Sequence, residues 1–102
     1  MDERNFRLWM EKSKTYHTAR TYSARCIRVE NELNIDLDEQ YDLDMGSELM
    51  QKLKYSRKES REGKTPKCGI TFDVDVDVYA GMHSLRASVK KYFEYLQQTK
   101  KD

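Results

Sequence analysis

Between positions 17 and 34 the apolar residues Ala19, Tyr22, Cys26, Val29 and Leu33 recur at steps of 3, 4, 3 and 4, the spacing that lines one face of an α-helix. A strand cannot use this pattern, because a period of two scatters the same residues over both faces. Three further stripes repeat the signal: Phe6, Trp9 and Met10; Met45, Leu49, Met50 and Leu53; and Leu85, Val89, Tyr92, Phe93 and Leu96. Together they predict an all-α chain, a compact bundle of four main helices at about 3–12, 17–34, 44–55 and 83–98. Thr15 or His17 can open the second helix and Asn34 can end it. Asp42 or Asp44 can cap the third, where early acids favour the helix dipole. His83 or Ser84 lies near the expected start of the fourth.

The stretch between helices three and four breaks the pattern. Residues 56–67 (SRKESREGKTPK) are polar and basic, with Gly63 and the sole proline, Pro66, and predict a long basic loop. In 70–78, Ile70, Phe72, Val74, Val76 and Val78 alternate with Thr71, Asp73, Asp75 and Asp77, a period of two. No second run of this kind offers a ladder partner. The expectation is an extended, partly buried segment, with a strand (paired to a second copy or a short one within the chain) or a helix as the alternatives. The whole of 56–82 therefore reads as loop and extended chain, and residues 97–102 as a fraying helix end.

At 102 residues the chain has room for one small domain, spanning 1–102. Eleven aromatics supply large apolar surfaces for burial, and the expected core is Phe6, Trp9, Tyr22, Val29, Leu33, Leu49, Leu53, Leu85, Val89, Tyr92, Phe93 and Leu96. Cys26 and Cys68 lie 42 positions apart and suggest a small core hydrophobe and an unpaired loop thiol. That usage fits a reducing compartment. No apolar run reaches the roughly 18 residues that cross a bilayer, and MDERNFRLWM lacks a signal peptide's apolar stretch. A cytoplasmic location is expected.

Catalysis fails on inventory. Phosphate-loop, nucleophile-elbow, zinc-protease and dinucleotide patterns are absent, and His17 and His83 stand apart at expected helix starts. No enzyme activity and no cofactor are expected. The acids Asp36, Asp38, Glu39, Asp42 and Asp44 fail the calcium-loop test, since counting from Asp36 puts Tyr41 at the sixth position and Ser47 at the twelfth, where glycine and glutamate are needed. They are expected to cap a helix and solvate a loop. Asp73, Asp75 and Asp77 would project together about 6.5 Å apart from an extended chain, but a solvated face is the plainer account, so no metal site is assigned.

Charge is more informative than its sum. Lysine and arginine total 19 against 18 acids, yet the signs are segregated. Residues 4–28 hold seven bases and one acid, 29–51 eight acids and no base, and 52–67 seven bases and two acids. Such blocks create local fields that a net charge hides. The turn into helix two gathers Lys14, Thr18 and Arg20 beside a helix N-terminus, the groups that hold phosphates. Arg25 and Arg28 follow, and Arg57, Lys58 and Arg61 can close from the basic loop. DNA is the expected partner, bound through its backbone and with steep salt dependence.

Phe6-x-x-Trp9-Met10, Thr18-Ala-Arg-Thr-Tyr22, the long striped helix, Ser84-Leu-Arg86 and Tyr92-Phe93-x-Tyr95-Leu96, in that order, resemble the SAM-like N-terminal core-binding domain of phage integrases and other tyrosine recombinases. Similar helical modules stand at the front of some restriction-endonuclease-like proteins. The resemblance covers about residues 4–97. It implies a helical clamp on one side of DNA, with Thr18 and Arg20 near the backbone, Arg25 and Arg28 on the polar side, and the chemistry carried by a separate domain. The stretch 56–81 departs from the family's usual form. A protein-interaction module, dimerising through 70–78 or docking by segregated charge, is the rival expectation.

Overall fold

The 22-residue helix Val78–Thr99 organises the molecule. In the computed structural model, which describes residues 1–99, it is the last of six helices: α1 Glu3–Glu11, α2 Tyr16–Leu33, α3 Leu37–Asp44, α4 Ser47–Lys52, α5 Arg57–Arg61 and α6 Val78–Thr99. Helix α6 packs against each of the other five. It buries Met82, Leu85, Ser88, Val89, Tyr92, Phe93, Tyr95 and Leu96, a broad stripe at steps of three and four that one partner helix could not cover. The described residues form no strand, so the chain is all-helical as expected.

Helices α1 and α2 match their sequence signals. Asp2 caps α1 by accepting the Asn5 N–H, and Thr15 caps α2 by accepting the Thr18 N–H at 3.1 Å. Asn34 ends α2 in the left-handed conformation, at φ 54°, which asparagine tolerates at a helix C-terminus. The core gathers Phe6, Met10, Ala19, Cys26, Val29, Leu37, Leu49, Leu53 and Ile70 around the α6 stripe. Trp9, Tyr22 and Leu33, expected inside, are only partly buried against it. Phe6, Trp9, Tyr92 and Tyr95 form one aromatic group, with the Phe6 and Tyr92 rings edge-on at 5.1 Å.

The expected third helix at 44–55 is the first correction. The acidic stretch before it is itself helical, as α3, capped by Asp36 through the Asp38 N–H. Helix α3 stops where Met45 (φ 61°) and Gly46 (φ 79°) turn left-handed in succession, and α4 resumes for six residues. Asp42 therefore lies within α3 rather than at a helix start, while Asp44 accepts the Glu48 N–H across the break. A Cβ on Gly46 would lie 2.2 Å from the Phe93 ring, so the close seat of that ring on the break requires glycine.

The second correction concerns 56–82. The basic loop contains α5, held by a reciprocal Ser56–Glu59 capping box whose S-x-x-E signature is legible in the sequence. Helix α6 begins at Val78, five residues before the expected 83, with Asp77 accepting the Ala80 N–H at 3.2 Å. His83 and Ser84 consequently sit inside it. The alternating segment is neither a strand nor fully extended. Ile70 is buried and Phe72 half-buried, but a turn closed by the Val76 N–H on Asp73 O (3.1 Å) leaves Val74 wholly exposed and Val76 44% exposed. Four main helices thus become six segments, and the valine row does not form one buried face. The tail expected to fray is helical through Thr99, and Lys100, Lys101 and Asp102 lie outside the described residues.

Candidate nucleic-acid interface

The start of α2 presents Lys14, Thr18 and Arg20. The first turn of this 18-residue helix holds no acid, so nothing local opposes the positive end of its dipole. Lys14 and Arg20 are exposed, and Thr18 is half-buried with its N–H and hydroxyl both engaged by the Thr15 hydroxyl. The Arg20 guanidinium lies over the Tyr16 ring at 5.6 Å and donates to the Tyr16 hydroxyl at 3.4 Å. Tyr16 is itself 54% exposed. This exposed tyrosine–arginine stack was not expected from the charge pattern, although their i,i+4 spacing is a legible signal.

Arg25 and Arg28 do not join Arg20. Five residues on a helix turn about 140°, and the buried stripe Ala19, Ser23, Cys26, Val29 runs between. Arg20 therefore leaves one flank of the stripe while Arg25 leaves the other, with Arg28 beside it on the outward face. The latter pair lines a groove of about 520 Å³ against Phe72, Asp73, Asp77 and the first turns of α6. Arg28 is held there. It pairs with Glu32, donates to Thr71 O at 2.8 Å and lies 4.6 Å over the Phe72 ring.

Arg57, Lys58 and Arg61 ride on α5. The Arg57 guanidinium covers the Tyr79 ring at 4.7 Å, and Arg57 and Arg61 share a small depression with Asp77 and Tyr79. Asp77 also lines the groove of Arg25 and Arg28. The structure thus brings two basic pairs to either side of one acidic turn, with Asp73, Asp75 and Asp77 exposed between them. The two charge signs meet at this point, and the cleanest positive surface is the start of α2.

Among the described residues, the ion pairs involve Arg7, Arg28, Lys52, Lys64, Lys91 and the amino terminus. Lys14, Arg20, Arg25, Arg57, Lys58 and Arg61 make none. No three His, Cys, Asp or Glu side chains among the described residues group as a metal site would need, and no described helix is long and apolar enough to cross a membrane. Cys26 and Cys68 are both free. No family model matches the chain, and neither a curated protein nor a solved structure matches it.

Proposed function

We propose that this chain is a non-catalytic module that holds the phosphate backbone of DNA. The observation that carries the reading is that six of the seven cations singled out by their sequence blocks make no ion pair among the described residues. Uncompensated cations attract and release counterions, which is the source of backbone affinity. Lys14 and Arg20, with Thr18 beside them at the α2 N-terminus, form one contact patch. Arg57, Lys58 and Arg61 form the second, with Arg25 between. Arg28, already paired with Glu32 and donating to Thr71, brings less uncompensated charge to the contact than the other six. The recombinase-like pattern of residues gives the module its setting, as a cytoplasmic accessory unit beside chemistry carried by another domain of a mobile-element or restriction-type protein.

The test is anisotropy titration of labelled duplex DNA from low to moderate salt. Affinity should fall steeply with salt. K14Q/R20Q and R57Q/K58Q/R61Q should each flatten the slope by about one unit per phosphate contact removed. Unchanged slopes in both variants would refute the reading.

The interaction-module reading retains one specific support, the full exposure of Val74 beside the partly exposed Val76. Val74→Asp converting a sedimenting dimer to monomer, with DNA affinity intact, would favour it.

A further inference from the structure

A different cleft, of about 340 Å³, opens between the α4–α5 junction and the middle of α6, lined by Lys54, Tyr55, Ser56, Lys67, His83 and Arg86 among others. Its two lysines flank the basic loop, and α6 supplies Arg86 on the facing wall. Buried Leu53 also lines it. Arg86 is half-buried, and its Nε donates to Met50 O at 3.1 Å. That bond fixes the guanidinium plane while its terminal nitrogens meet no acceptor among the described residues. Two of the other half-buried arginines are answered by acids through ion pairs, Arg7 by Glu3 and Arg28 by Glu32. Arg86 makes no ion pair among the described residues: in this cleft it meets two lysines, and Glu94, which shares a neighbouring cleft with it, is paired with Lys91. Glu59, the sole carboxylate in the lining, is committed to the α5 cap, where its Oε1 accepts from the Ser56 N–H and hydroxyl at 3.2 Å each. The lining therefore holds three positive charges, one of them anchored, against one engaged negative charge.

We propose that this cleft is a binding site for a phosphate group. A preset guanidinium presents a planar fork suited to two phosphate oxygens, and Lys54 and Lys67 act as mobile point charges that close on the remaining oxygens. Desolvation at the half-buried Arg86 strengthens the attraction beyond what an exposed cation supplies. A concavity of this size takes the phosphate together with a group as large as a sugar. The phosphate can come from a free small phosphorylated ligand or from the end of a nucleic-acid strand. The site shares no cation with the α2 and α5 patches, so it stands or falls apart from backbone binding.

The test titrates the ¹⁵N-labelled full chain with pyrophosphate, against sodium chloride at equal ionic strength. Saturable shifts are expected at Lys54, Tyr55, Ser56, Lys67 and the Arg86 Nε–H, with K54Q/K67Q weakening affinity about tenfold at an unchanged melting midpoint. Both lysines are exposed, so this variant keeps the fold. Arg86→Gln should abolish the saturable shifts. Linear shifts spread over all cations, or unaltered affinity in K54Q/K67Q, would overturn the proposal. A second arm compares a short single-stranded oligonucleotide with and without a 5′-phosphate. Tighter binding of the phosphorylated form, lost in K54Q/K67Q, assigns a strand end. Equal binding of the two, with pyrophosphate still saturating, assigns a free small ligand. Loss of duplex binding in K14Q/R20Q with the pyrophosphate response intact separates the two sites.

Discussion

The Arg28 guanidinium lies 4.6 Å over the ring of Phe72 while donating to the carbonyl of Thr71. Phe72 in turn leaves no room at α6, since a Cβ on Gly81 would lie 2.4 Å from its ring. One arginine thus straps residues 70–72 between α2 and α6. Arg28→Met, which keeps an apolar stem, should cost about 1–2 kcal/mol in urea denaturation. A double-mutant cycle with Phe72→Leu should return a coupling of about 0.5–1 kcal/mol. Arg28→Met should also change the salt slope of DNA binding less than Arg20→Gln does, because Arg28 is paired with Glu32 while Arg20 makes no ion pair among the described residues.

Gly46 and Phe93 define a second tight contact. A Cβ at position 46 would overlap the ring, and φ of 79° is strained for any side chain. Gly46→Ala should therefore destabilise by about 2–4 kcal/mol, the sum of left-handed strain and overpacking. Phe93→Leu in the same chain should recover part of that loss, where alone it only destabilises. Equal additivity of the two changes, by chemical denaturation, would mean that the ring is not the obstacle.

These two contacts also show what could be inferred before the fold was known. The helix stripes placed α1, α2 and the body of α6 because period and burial coincide along each of them. Gly46 was visible, but a stripe through Met45, Leu49, Met50 and Leu53 continues across it, and only the Phe93 ring explains why the chain breaks there. The Asp–Val alternation from 70 to 78 suggested extended chain because a period of two is local information. Helix α6 overrode it by recruiting Asp77 as its cap, and the turn at Asp73–Val76 removed Val74 from any buried row. The charge blocks located the cations of the candidate interface, but not their directions. Arg20 and Arg25 are both basic and near in sequence, yet helix rotation sends them to opposite flanks. Arg86 belongs to the last basic stretch of the chain, far in sequence from Lys54 and Lys67, so its meeting with them is purely tertiary.

The two thiols should react very differently. Cys26 is fully buried, its Sγ–H donating to Ser88 O at 3.3 Å, and burial pushes its pKa up to about 12. Little thiolate exists there at pH 8, and thiolate is the nucleophile. Cys68 is only half-buried. A chromogenic disulfide reagent should titrate one thiol in the native chain and two in denaturant, with Cys68→Ser abolishing the native signal. Rapid native labelling of both would contradict the packing of Cys26 under α6.

Alkaline stability should turn on Tyr92. Its hydroxyl accepts the Asp2 N–H at 2.8 Å and donates to Asp38. Burial, then the hydrogen bond to Asp38, raises its pKa well above the ordinary 10.0, and burial raises Tyr95 likewise. A group whose folded pKa exceeds its unfolded value holds more protons in the native state, so its stabilisation is complete below the unfolded value and declines as pH rises toward the folded one. Cys26 adds the same sign between 9.0 and about 12. Stability from these groups should thus be flat through neutral pH, begin to fall near pH 9, and fall faster above 10. Tyr92→Phe leaves the Asp2 N–H unsatisfied and should cost about 1–3 kcal/mol near pH 7, yet its stability should decline less between pH 10 and 11.5. Parallel curves for Tyr92→Phe and the parent chain, from urea midpoints across that range, would show that the decline has another source.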